Sequence, residues 1–305
     1  MSGFVGMRIV DPVTVTDTVL VDSNVVENDY AAYNPATGYT TGQRCIVDHA
    51  IYESVMTTAN TGNAPATSPT KWKKVSATNR YKMFDTVNST ASFRASPLSV
   101  QLRPKAAVNT VSLSNIAGAT RVRIRAVDPV AGSVYDKTQF LTGVLPRSSW
   151  YDFFFAPRIP AVDVLATDLP AYPNADVLID LVDGAGGEVA VGTCLIGQTV
   201  EVGDGVRFGV KVGIQDYSRQ TVNDYGDLVL NVGAYAKRAS FPLRIPNQYL
   251  DVVQMLFARM RSKPVLFIGY EPYKCTVVFG IYKSFEILIG YATFSDCNVD
   301  LLGLT

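Results

Sequence analysis

Residues 110–127, TVSLSNIAGATRVRIRAV, decide the fold class. Thr110–Ile116 and Thr120–Val127 each alternate apolar with polar side chains, the period-two signature of a strand with one buried face, and Ala117-Gly118 breaks the run. The same pattern recurs at Ser99–Leu102, Val134–Leu141, Ala175–Val182 and Glu188–Ile196, with Pro and Gly turns between. Short strands at this spacing predict a two-sheet β-sandwich whose alternating inner faces form the core. VDGAGG at 182–187 and EVGDG at 201–205 read as hairpin turns, because Asp-Gly favours tight reversals.

Working outward, Val5–Val10 and the alternating Val13–Val21 predict two N-terminal strands. Downstream, strands are predicted at Val206–Ile214, Asp227–Tyr235, Val265–Tyr270, Cys275–Tyr282, Phe285–Tyr291 and Val299–Leu302, with Gly280 and Gly290 marking bulges or close backbone approach. One helix interrupts them over residues 247–263. Asn247 is placed to cap it, and Tyr249, Val252, Val253, Leu256, Phe257 and Met260 fall on one face. Asp251 near its start and Arg259 and Arg261 near its end suit the macrodipole, and Pro264 stops it. The expected architecture is mainly β, with this amphipathic helix packed on a C-terminal sheet.

Residues 33–75, YNPATGYTTGQRCIVDHAIYESVMTTANTGNAPATSPTKWKKV, form a unit of different texture. Turn residues surround two short strands, Arg44–Asp48 and Ile51–Met56, and a loop from Thr57 to Thr70 leads to Trp72. YNPATGYTTGQRC, IYES and TGNAPATSPTKWKKV together resemble the small chitin-binding-type carbohydrate-binding modules of secreted glycosidases. The resemblance implies a compact three-stranded unit, inserted near the N-terminus, that contacts glycans. Tyr39, Tyr52, Asn63 and Trp72 are its candidate glycan-binding residues. Where that family carries an exposed aromatic pair, this chain has Val55-Met56-Thr57-Thr58.

The continuation ATNRYKMFD, Ala77–Asp85, is instead similar to bacteriophage tail and baseplate proteins that carry such a module near their start. So are the stretches 213–243 and 265–304. This second resemblance implies a structural component of a phage tail or baseplate, assembled in the host cytoplasm and located in the virion. Its partners would be copies of itself in a symmetric oligomer, neighbouring tail proteins and a host-surface glycan. The alternative is a glycan-binding adhesin or receptor-binding lectin. The corresponding division of the chain is 1–30 for the first body strands, 31–85 for the module and its return segment, 86–202 for the sandwich and 203–305 for the C-terminal β region.

Composition narrows the function classes. Hydrophobic residues make up 48% of the chain and charged residues 18%, so disorder is excluded and apolar surface is available for partners. Lys plus Arg equals Asp plus Glu at 27 each, which leaves no electrostatic footprint for nucleic acid or an anionic membrane. No apolar run is long enough for a transmembrane helix, and MSGFVGMRIVDP lacks the apolar core and cleavage site of a signal peptide. Neither membrane insertion nor nucleic-acid binding is expected.

Catalytic chemistry has no visible carrier. His49, the only histidine, sits between the module's two strands as a turn residue with no ligand at metal spacing. No nucleophile elbow or phosphate-binding loop follows a strand, so the chain reads as a non-enzyme without cofactor or metal. Cys45, Cys194, Cys275 and Cys297 form no CxxC pair; Cys275 and Cys297 could meet across neighbouring strands, a pairing the spacing leaves open. The aromatic run Tyr151–Pro157, like Trp72 and Trp150, is read as packing before ligand platform.

Overall fold

The computed structural model describes residues 6–141, 150, 161–222 and 225–304. The architecture is mainly β, and among the described residues all strand pairs are antiparallel. The largest sheet runs in the order β11 (Val164–Ala166), β8 (Thr110–Ala117), β13 (Glu188–Val202), β1 (Met7–Pro12), β19 (Val265–Ile268), β20 (Val277–Leu288), β21 (Phe294–Gly303), β18 (Tyr235–Pro246) and β14 (Gly205–Val206). β15 (Lys211–Asp216) also pairs with β18, and β6 (Ser92–Ala95) with β13. A five-stranded sheet follows the order β10 (Gly132–Phe140), β9 (Arg121–Asp128), β12 (Asp176–Val182), β7 (Leu98–Leu102) and β2 (Leu20–Ser23). The module is a separate sheet of β3 (Arg44–Val47), β4 (Ala50–Ser54) and β5 (Trp72–Ala77), and among the described residues β16 (Arg219–Val222) pairs with β17 (Leu228–Asn231) alone.

The sandwich core follows from the predicted alternation. On β9, Val122, Ile124 and Ala126 are buried, while Arg121, Arg123 and Arg125 face outward. Val177, Ile179 and Leu181 of β12 meet Val111 and Leu113 of β8 and Val189 and Val191 of β13 in one apolar cluster. On the outer surface Arg123 pairs with Asp136 and Arg125 with Asp180 across neighbouring strands. Such pairs contribute at most about 1 kcal/mol each where exposed, so they favour the register while burial supplies the stability.

A second core lies where the large sheet curls. Met7 and Ile9 of β1, Phe241 and Leu243 of β18, Phe267 of β19 and Val299 of β21 converge around one helix, α1 (Leu250–Arg259). Two residues after β13 ends, the chain pairs as β14 with β18, at the far end of the same sheet, so the curl nearly closes on itself. This sheet passes through both the 86–202 and 203–305 stretches. The curl demands close backbone approach between β20 and β21: a Cβ at Gly280 would stand 2.1 Å from the carbonyl oxygen of Leu302.

Several expectations are corrected. The helix is shorter than 247–263, because residues 247–249 form a 3-10 turn. Asn247 does not cap it; its side-chain amide donates to the carbonyls of Tyr291 and Ala292 and its Oδ1 accepts from Ser295 Oγ, tying the helix start to the β20–β21 turn. The apolar face is rotated, with Val253, Phe257 and Met260 buried and Tyr249 and Val252 exposed. Between residues 13 and 19 there is no strand: the chain turns at Thr16, and Val13 and Val15 pack on the sandwich edge instead. The two Asp-Gly turns are not hairpins. VDGAGG carries the chain from the five-stranded sheet to the large one, and EVGDG moves it from β1's neighbour to β18's.

Pro242 interrupts the strand pattern of β18 in the sequence. The carbonyl of Pro242 accepts from Arg207, on the side where β14 has ended and β15 has not begun, so the proline's missing N–H falls in a gap in the ladder. Cys275 is exposed and Cys297 buried, and both are free. Trp150 is exposed, and the Tyr151–Pro157 run lies outside the described residues.

Phe257 reaches the centre of the second core, stacked on Phe285 at 4.2 Å between ring centroids. Phe257→Ala is expected to cost about 3–5 kcal/mol through cavity formation. Val252→Ala, on the exposed face, is expected to stay within about 0.5 kcal/mol. Urea unfolding of the two variants checks the facing.

Candidate functional site

The module's fold uses most of its predicted glycan-binding residues for itself. Tyr39 and Trp72 are 7% and 3% exposed and form, with Cys45, the module's own core. Their rings meet edge-on at 5.1 Å, and Tyr33 stacks on Tyr39 at 5.7 Å. Trp72 Nε1 donates to the carbonyl of Asn63 at 2.9 Å, while the Asn63 side chain donates to Asn60 and accepts from Lys71. The structure therefore brings Tyr39, Asn63 and Trp72 together as a structural nucleus. Tyr52 is half-buried at its edge. A sugar could stack on Tyr39 or Trp72 only after the nucleus opened.

On the module's surface, Tyr30 is exposed beside Arg44, whose guanidinium lies 5.6 Å from the ring centroid and is paired with Glu53. Val55 is exposed and no aromatic pair accompanies it.

The joint between module and body is a dense polar cluster centred on His49. Asp48 and His49 take positive φ at the β3–β4 reversal, as a two-residue hairpin turn requires. That geometry aims the imidazole at the body. Nδ1 is 2.9 Å from Glu27 Oε1, Nε2 is 2.9 Å from Asp17 Oδ1, and the Tyr81 ring stacks on the imidazole at 4.0 Å. Tyr81 also donates its hydroxyl to Asp17. Thr78 donates its hydroxyl to Glu27 and its N–H to the His49 carbonyl. Asn79 bonds Asp29 and the backbone of Phe93, and Met83 enters the sandwich core. The ATNRYKMFD segment is thus the seam that fixes the module to the body.

Charge sets the behaviour of this joint. Burial alone would lower the His49 pKa, but hydrogen bonds and charges from Glu27 and Asp17 outweigh it and hold the imidazole above its usual value. The Asp17 carboxyl is held below the ordinary range, first by the Tyr81 hydroxyl and then by His49. Reading the histidine as a turn residue missed this, since Glu27 and Asp17 lie 22 and 32 positions away with no motif linking them. Among the described residues no cluster of His, Cys, Asp and Glu forms a metal site.

A cleft of about 660 Å³ lies against one face of the large sheet. Leu165, Leu266, Val277 and Phe279 line its floor, and Ser112, Ser114 and Gln139 face it. Lys137 pairs with Asp168, Lys237 with Asp163 and Glu271 with Arg8, while Lys274 donates to the backbone carbonyl of Asp163. Such a mixed polar and apolar lining suits an amphipathic ligand. Its residues are scattered from 88 to 304, which leaves no sequence signal.

No protein-family model and no curated protein matches this chain. No helix among the described residues is long and apolar enough to cross a membrane.

Two measurements test the site. Trp72→Ala should unfold the module, at a cost of about 3–5 kcal/mol, and abolish its near-UV circular dichroism, whereas Tyr52→Ala should leave it folded. For the joint, the His49 contribution is complete below about pH 6.5 and is lost as pH rises through the raised value; the Asp17 contribution is lost as pH falls through its lowered value. His49→Gln is expected to remove the high-pH limb of the module's hydrogen-exchange protection. At neutral pH it should cost about 1 kcal/mol, after discounting for solvent screening of these partly exposed groups.

Proposed function

We propose that this protein is a structural component of a bacteriophage tail or baseplate. Its β body assembles with copies of itself and with neighbouring tail proteins, and holds the small module at a set position. The observation that supports this reading best is the role of Ala77–Asp85. Within the N-terminal part, the segment by which the chain resembles phage tail proteins, and not glycosidases, is the segment that joins module to body through Thr78, Asn79, Tyr81 and Met83. A rigid mounting of this kind serves display within an assembly. The uncovered apolar side chains on the body fit the same reading, because a freely soluble monomer seldom exposes such surface.

A glycan-binding lectin is the second reading, favoured by the amphipathic cleft and by the module's remaining surface aromatics, Tyr30 and Tyr52. With Tyr39 and Trp72 committed to the module core, single-site affinity for chitin-like oligosaccharides is expected to be no tighter than about millimolar, near −4 kcal/mol.

Mass spectrometry of purified particles from the source phage or prophage is expected to find the chain in stoichiometric amounts with other tail proteins. Absence from the particles overturns the tail reading. Micromolar glycan binding by the isolated chain, lost on Tyr52→Ala with the fold intact, would put the lectin first.

A further inference from the structure

We propose that the cleft between β10 and the large sheet binds a short oligosaccharide carrying one carboxylate. The site lies in the body, separate from the module, and the tail reading neither requires nor supplies it.

Strand register builds the cleft. Ser112 of β8 stands opposite Leu165 of β11 and Leu195 of β13, so the three share one face of the large sheet. Leu165 packs there with Leu266, Val277 and Phe279 to make the apolar floor. Lys137 and Gln139 of β10 reach in from the other sheet, and Asp168 fixes Lys137 in place.

Ser112 is the residue that points to a ligand. It is 3% exposed and lines the cleft, yet among the described residues nothing bonds its hydroxyl. A hydroxyl withdrawn from bulk water in this way is satisfied only by a molecule that enters the cleft. Ser114 and Gln139 beside it have unspent side-chain donors and acceptors as well.

The lining selects the class of that molecule. An acyl chain suits a continuous apolar tunnel, and a phosphate suits a helix start or a cluster of cations. Here an apolar floor lies under a wall of hydroxyls, an amide and ion pairs. A pyranose ring has the matching form, with a C–H face for the floor and a rim of hydroxyls for the wall. The pairs Lys137–Asp168 and Lys237–Asp163 are held by one another, so their remaining donors and acceptors meet those hydroxyls already oriented. The volume of about 660 Å³ falls within the usual size of a small-molecule site, which fits a few sugar rings and no more.

Charge adds the carboxylate. Asp163, Asp168 and Glu271 are each spent on a cation, namely Lys237, Lys137 and Arg8. Lys274, at the open rim, donates to the backbone carbonyl of Asp163 at 3.1 Å and has no carboxylate partner among the described residues. A carboxylate on the ligand completes that ammonium with a charge-assisted hydrogen bond. One is enough, because the neighbouring cations are already matched.

Titration calorimetry of the full chain tests this with a panel of di- to tetrasaccharides, each uronate- or sialate-bearing member matched by its neutral counterpart. Decanoate serves as an amphiphile without sugar rings. At least one acidic member should bind, and its neutral counterpart should bind about tenfold more weakly. Lys274→Gln, at an exposed position, should erase that difference, and Ser112→Ala should weaken binding severalfold, both with the circular dichroism of the wild type. Lys73→Gln, an exposed lysine of the module, should change neither. Hydrogen exchange of the wild type gives a reading free of any variant: the acidic member should raise protection at 112–114 and 164–167. Failure of every acidic member to bind, equal affinity for the neutral counterparts, binding of decanoate alone, a Lys274→Gln variant that keeps the preference, or protection confined to the module overturns the proposal. A particle component that binds no acidic saccharide fails this proposal and keeps the tail reading; a chain missing from particles that binds one through Lys274 does the reverse.

Discussion

The structure depends on the sharing of one strand, β13, between two cores. Its fifteen residues are long enough to leave the sandwich and enter the curled part of the sheet. Val189, Val191 and Ile196 pack in the sandwich, and Val202 packs beside α1. The same strand takes β8 and β6 as partners first and β1 later. Neither core can shift without moving the other, because the ladder between them is continuous.

The module obeys a different economy. With three short strands and few apolar residues, it gains stability by burying its aromatics against one another, and Tyr33, Tyr39 and Trp72 serve that purpose. The aromatics that would make the best sugar platform are thereby removed from solvent. What the module offers outward is a polar surface with Tyr30, Tyr52 and Arg44, held in orientation by the imidazole of His49 between two carboxylates. The clamp is partly exposed, so its value lies more in fixing the angle of the module than in raw stability.

Balanced charge and uncovered apolar surface recur across the body. The ion pairs of the outer sandwich face and of the cleft neutralise one another locally, while β16 and β17, the outer face of α1 and the β20–β21 turn leave aliphatic and aromatic side chains in solvent. A surface of this composition exerts little long-range electrostatic attraction.

The amino-acid sequence by itself determined the longer strands of the sandwich, since alternation such as Val122, Ile124 and Ala126 against three arginines leaves one orientation for β9. It also determined the existence of the small module and of one C-terminal helix, because turn residues and a 3.6-residue apolar period act locally. Only the tertiary structure decided which way that helix faces, because Val252 and Val253 are equally apolar and the position of β20 and β21 chooses between them. Pairing partners were likewise hidden: an Asp-Gly turn looks the same whether the next strand returns along its neighbour or crosses to another sheet. So was the fate of Tyr39, Trp72 and His49, since burial and ion pairing join residues far apart in the chain. Local propensity is written in neighbouring residues, whereas burial and electrostatic partnership are properties of the packed whole.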